Sequence, residues 1–158
     1  MAYFQEWDGV LVAGSLARAS SSNDKVWGEE CLAATDLPYG TAVAWNAAGG
    51  VKKFAAVTDV FHGIVVKDIY GGGVAPNDRI VNVAHISHGD GIRVATVSGQ
   101  TFTRGGKAFI VASGANAGLF TATAAATTID VGFIVEKVGS GTNGVIEVTL
   151  GYNQVAGA

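Results

Sequence analysis

Between Gln100 and Leu150 apolar and polar residues alternate in short runs, AFIVA, IDVGFIVEKV and GVIEVTL, separated by the turn-rich clusters TRGG, SGANAG and GSGTNG. A two-residue period sends successive side chains to opposite faces of an extended chain, and closely spaced turns between such runs read as antiparallel strands joined by tight loops. The stretch from Tyr39 to Gln100 continues the pattern. YGTAVAWN ends at the turn AAGG, VKKFAAV follows, and FHGIVVKDIY carries a β-branched IVV run. GGGVAPND breaks the pattern as a loop, and SHGDG between RIVNVAHI and GIRVATVSG reads as a hairpin connection. FTATAAATT contains alanines, but its flanking Thr residues, short length and missing caps argue against a helix. No stretch holds a 3.6-residue period. The expectation is an all-β protein, a β-barrel or β-sandwich of short antiparallel strands.

Residues 1–38 differ. They hold Glu6, Asp8, Asp24, Glu29, Glu30 and Asp36 against Arg18 and Lys25, and include the small polar stretch ARASSSND. They also carry Tyr3, Phe4, Trp7 and Trp27, more aromatics than a disordered tail holds. The expected organisation is an extended N-terminal arm over 1–38 and a β body over 39–158. In that reading Tyr3, Phe4, Trp7 and Trp27 are partner-binding anchors, because a few buried aromatics dominate interface energetics. The competing reading has these rings cover the body's own core.

Composition sharpens the picture. The chain has 158 residues, 49% hydrophobic and only 15% charged, against about 25% charged in an average soluble domain. No apolar run reaches the roughly 18 residues of a membrane span, and the N-terminal sequence lacks the basic and apolar regions of a secretion signal. An apolar surface without a membrane role is expected to face other protein chains. Net charge is −3 and the ten Lys and Arg are dispersed, so no basic stripe points to nucleic acid. The adjacent pair Lys52–Lys53 is the largest basic cluster, and a strand would point the two to opposite faces. The single Cys31 excludes an intrachain disulfide, and the neighbouring Glu29 and Glu30 disfavour its thiolate.

Candidate chemistry is sparse. His85, His88 and Asp90 are of metal-ligand type, with His62 a conceivable third imidazole. Positions 85 and 88 face opposite sides of a strand, so only a turn beginning near Ser87 would bring both rings to one ion. Polar turn residues are the expected reading, with no metal. The GGG at 71–73 lacks the context of a dinucleotide or phosphate loop. No GxSxG occurs, and Glu29–Glu30 is the nearest carboxylate pair, so no catalytic residue and no cofactor is assigned. Trp45, Tyr39 and Tyr70 would suit a sugar-stacking platform if they clustered. Core packing is the expectation for Trp45.

The ordered series YGTAVAW, VKKFAAVTDVFHGIVVKDI, GIRVATVSGQTFTRGGKAFIVASGANAGLFT and IDVGFIVEKVGSGTNGVIEVTL resembles the structural cement, or decoration, proteins of tailed-bacteriophage capsids. Gly63-Ile64-Val65, Gly106 to Val111, Gly118 to Thr121, Val131 to Ile134 and Ile146 to Leu150 carry the likeness. The resemblance covers about Tyr39 to Leu150. It implies a non-enzymatic β-barrel-like subunit with an N-terminal arm, assembled in the host bacterial cytoplasm and held on the outer surface of the virion capsid. There it would bridge neighbouring major capsid proteins as a homodimer or homotrimer, with no direct contact to nucleic acid or membrane. The competing reading is a carbohydrate-binding or adhesion module of a phage tail or fibre.

Overall fold

The computed structural model describes residues 11–18, 26–30, 37–67, 74–75, 80–139 and 144–151. Among them there are thirteen strands and no helix. In chain order these are β1 (Leu16–Arg18), β2 (Val26–Glu30), β3 (Leu37–Pro38), β4 (Ala42–Trp45), β5 (Val51–Lys53), β6 (Phe61–Val65), β7 (Val74–Ala75), β8 (Ile80–Ala84), β9 (Gly91–Ala95), β10 (Lys107–Val111), β11 (Phe120–Thr121), β12 (Thr128–Val138) and β13 (Val145–Leu150). The all-β expectation holds, and the alanine-rich stretch after Phe120 is a turn into β12. Strands β1 to β3 lie within the irregular, acidic N-terminal zone and pair into the body.

The strands form two main antiparallel sheets. One has the order β1-β9-β13-β12-β10-β11, the other β2-β8-β6-β4-β5, and β3-β7 make a small third sheet. The six-stranded sheet curls into a half-barrel. Its far strand returns so closely that the Val97 N–H donates to the Phe120 carbonyl at 2.9 Å, just beyond the end of β9. Bulges in β12 provide the bend: its register slips between Val135 and Lys137 against β13, and again opposite Ala108–Ile110. An extra residue on one strand increases local twist and turns the sheet.

The expected hairpin across SHGDG does not form. A turn is present, with the Asp90 N–H donating to the Ser87 carbonyl at 3.1 Å and the Asp90 carboxylate accepting from the Ser87 N–H at 3.0 Å. It carries the chain from one sheet to the other. Both edges of β8 are already taken, by β2 and β6, and both edges of β9 by β1 and β13. The two strands therefore have no free edge to offer each other.

The main core lies between the sheets, with Ile64, Ile92, Val94, Ile110, Phe120 and Phe133 essentially inaccessible. Phe133 is its hub, edge-on to Phe120 at 5.5 Å and to Phe61 of the opposite sheet at 5.7 Å. Such edge-to-face geometry contributes about 0.5–1.5 kcal/mol per pair beyond burial. The five-stranded sheet is also covered on its outer side, where Val43, Val51, Val65, Val81 and Val83 pack under Leu37 and Tyr39. Burial on both faces explains why β4 and β6 read as nearly continuous apolar runs.

Two glycines join the sheets. Gly14 donates to the Arg93 carbonyl and accepts from the Lys67 N–H; Gly40 donates to the Val65 carbonyl and accepts from the Ala95 N–H, all at 2.8–3.0 Å. Both have left-handed backbones, φ 76° and 77°, and they touch: a Cβ on Gly40 would sit 2.9 Å from the Gly14 nitrogen. Only glycine permits this approach without strain.

Candidate functional site

The outer face of the five-stranded sheet ends in a row of rings. Trp45 closes β4 and lies tilted at 55° against His62 with centroids 3.9 Å apart, and His62 meets His85 edge-on at 4.6 Å. The row arises from sheet register. Val43 pairs with Gly63 and Ala44 with Phe61, so His62 is the extra residue of a β-bulge, re-aimed under the indole. His62 is buried, whereas Trp45 is 54% exposed. The expectation of a core Trp45 is thus corrected: the sheet continues past the layer formed by Leu37 and Tyr39, and the indole emerges beyond it.

Beside Trp45 the loop from Ala55 to Val60 adds Val57, 46% exposed, and Val60, 64% exposed. The Trp45 N–H donates to the Val60 carbonyl at 3.0 Å, which fixes the loop against the strand end. Asp59 holds the loop from within. Its carboxylate accepts the Ala55 N–H at 2.8 Å, the Ala56 N–H at 3.0 Å and the Lys52 ammonium at 2.6 Å. The Lys52 hydrogen bond, then those backbone donors, keep the Asp59 carboxyl below its ordinary value of 3.8. Lys53 pairs with Val43 across β4 and β5 and so shares the Trp45 side of the sheet, while Lys52 turns to the other side, as alternation requires. The outcome is a firm apolar platform with one lysine at its margin.

The remaining sequence candidates scatter. His88 bonds through Nδ1 to the Leu150 carbonyl at 3.1 Å, Asp90 is fully buried in its own turn, and His85 sits in the ring row. The turn at Ser87 is present, but it does not gather the three side chains. Among the described residues no group of three His, Cys, Asp or Glu side chains is placed to hold a metal ion. The sequence missed the nearness of His62 to His85, which comes from the pairing of β6 with β8 rather than from spacing along the chain. Tyr39 is buried and shares no exposed platform with Trp45; Tyr70 lies outside the described residues, as do Tyr3, Phe4, Trp7, Cys31 and the GGG segment. Trp27 is placed by its backbone in β2, opposite Val83.

Elsewhere, a cleft of about 710 Å³ runs between the segment after β9 and the β12–β13 hairpin, past Ala95, Gln100, Phe102, Val138 and Ile146. Among the described residues no ionisable side chain lines it. The charges that approach burial are structural. Arg93 and Glu147 face each other across β9 and β13 at 3.9 Å, each side chain about 10% exposed, and the Arg93 guanidinium also donates to Ser15 Oγ at 3.3 Å.

The described residues are those of an all-β protein with an exposed apolar surface at Trp45, Val57 and Val60. The family model of the XM1 gp53 minor capsid protein matches residues 1–150. The chain belongs to that family: it is a bacteriophage capsid-associated structural protein, a component of the virion. A chain from the solved capsid of Myoviridae phage XM1 shares the fold, with a TM-score of 0.71 at 19% identity over 89% of this chain and 90% of that one. No curated protein matches.

Proposed function

We propose that this minor capsid protein is a cement, or decoration, subunit. It binds the outer surface of the assembled shell, bridges neighbouring major capsid proteins and stabilises them, without catalysis, cofactor, nucleic-acid or membrane contact of its own. The observation that carries the reading is family membership along nearly the whole chain. The charge-poor composition and the exposed platform at Trp45, Val57 and Val60 support it. A subunit that binds only the assembled state shifts the equilibrium towards assembly, and many copies with several contacts each gain further from multivalency.

In this reading the N-terminal zone 1–38 supplies the arm, and Tyr3, Phe4, Trp7 and Trp27 are its anchors to neighbouring capsid chains, copies of itself included. Strands β1 to β3 pair into the body, so Tyr3, Phe4 and Trp7 are assigned the reach before Leu11 and Trp27 a contact made at the body itself, from β2. The test is to assemble capsids with and without the protein and compare the temperature at which shells release packaged DNA. A rise on adding the protein, with added density over subunit boundaries by electron microscopy, supports cementing. Shells of equal stability, with the protein found elsewhere in the virion, reject it. The adhesion alternative draws on the exposed indole of Trp45; a glycan-array signal removed by Trp45→Ala would decide for it.

A further inference from the structure

We propose that the Trp45–Val57–Val60 platform is the receiving site for the acidic, aromatic N-terminal segment, residues 1–10, of a second copy of this chain. The inference rests on the capsid reading and names the partner surface within it.

The platform is built to be rigid before anything binds. Trp45 is backed by His62 and His85, the loop bearing Val57 and Val60 is tied to β4 through the Trp45 N–H, and Asp59 fastens the loop to Lys52 and to its own backbone. An exposed indole with its position already fixed loses little entropy on binding, the condition under which one aromatic contact becomes an energetic anchor. The strand next to Trp45 is β5, the last strand of its sheet. Among the described residues no strand pairs with its outer edge, and an extended segment could hydrogen-bond alongside it.

The occupant is chosen by chemistry. Residues 1–10, MAYFQEWDGV, carry Tyr3, Phe4 and Trp7 to cover an apolar platform, and Glu6 and Asp8 with no Lys or Arg. The platform's margin carries Lys53 alone, since Lys52 faces the other side of the sheet and is paired with Asp59. The charge of the segment is thus opposite to that of the margin. Ten residues in extended form reach about 33 Å, which sets how far from Leu11 the platform of a neighbouring copy can lie. Exchange of this kind would link copies to each other and so spread the load of the shell across subunits.

The experiment uses the full chain in two variants. One carries Tyr3→Ala, Phe4→Ala and Trp7→Ala; the other carries Trp45→Arg, with Val60→Asp as an independent platform variant in case Trp45→Arg disturbs the fold, which circular dichroism will report. Sedimentation velocity over a concentration series should show self-association of the unaltered chain weakened at least about tenfold in each variant alone. An equimolar mixture of segment and platform variants should restore a one-to-one complex, because each supplies what the other lacks. An unaltered chain that stays monomeric, variants that associate like it, or a mixture that restores nothing would overturn the proposal. If Trp45→Arg instead abolishes capsid binding while leaving self-association unchanged, the platform belongs to another capsid chain; this proposal fails and the cement reading stands. If the unaltered chain neither binds nor stabilises shells, the cement reading itself fails.

Discussion

Single residues carry several of the fold's decisions, and Asp59 is the clearest. Its carboxylate bonds Lys52 and two backbone N–H groups, and each such bond contributes about 1 kcal/mol net. Asp59→Asn keeps the shape and loses the charge; it should lower stability by about 1–2 kcal/mol in urea titration and loosen the loop under Val57 and Val60. The pH dependence follows the same group. The Asp59 carboxyl is held below 3.8 in the folded state, and so is Asp130, by its 2.7 Å contact with Lys107 and by the Gly132 N–H. A depressed carboxyl contributes stability that is complete above the unfolded value and lost as pH falls through the folded one. Thermal stability should therefore fall below about pH 4, and the Asp59→Asn protein should show a shallower loss there. Gly14 and Gly40 are decisive in another way. A Cβ at Gly14 would meet the Lys67 nitrogen at 2.7 Å, and the left-handed backbone alone costs a substituted residue about 1–2 kcal/mol. Gly49→Ala, with open space around it, should pay only that backbone penalty and lower Tm by about 2–8 °C, while Gly14→Ala adds the clash with Lys67 and should lower it further. Composition shows 23 glycines but does not distinguish these two, because their role depends on chain segments distant in sequence.

At the scale of elements, alternation marked where strands lie and left open which strands they pair with. The runs AFIVA, IDVGFIVEKV and GVIEVTL correspond to β10, β12 and β13, and the turn AAGG joins β4 to β5 as read. The hairpin expected at SHGDG is instead a crossing between sheets, since pairing depends on which edges remain unfilled. The N-terminal strands were illegible for a related reason. β1 and β3 have only three and two residues, too short for a period to show. The pair Arg93–Glu147 tests the β9–β13 ladder directly. Glu147→Leu alone leaves the guanidinium facing an apolar neighbour and should cost about 3 kcal/mol, whereas Arg93→Leu combined with Glu147→Leu should recover much of that loss. Denaturant midpoints of the two single variants and the double variant check it.

For the whole molecule, the strands covered on both faces or flanked on both edges should be the last to open. Hydrogen exchange should find the slowest amides in β4, β6, β9 and β13 and faster ones in the last strands β5 and β11; uniform exchange along the chain would contradict this layering. The sequence by itself determined the β class, the absence of helical periodicity and the poverty of reactive groups. All of these depend on local spacing and composition, which the chain displays in order. Tertiary structure decided what spacing does not encode. It curled one sheet until Phe120 met Val97, brought His62 beside His85, joined the sheets through Gly14 and Gly40, and left Trp45 in the open where alternation placed it in the core. The physical reason is the same in each case. A strand's period fixes the direction of its side chains, but burial is set by the layer that packs above it, and that layer comes from elsewhere in the chain.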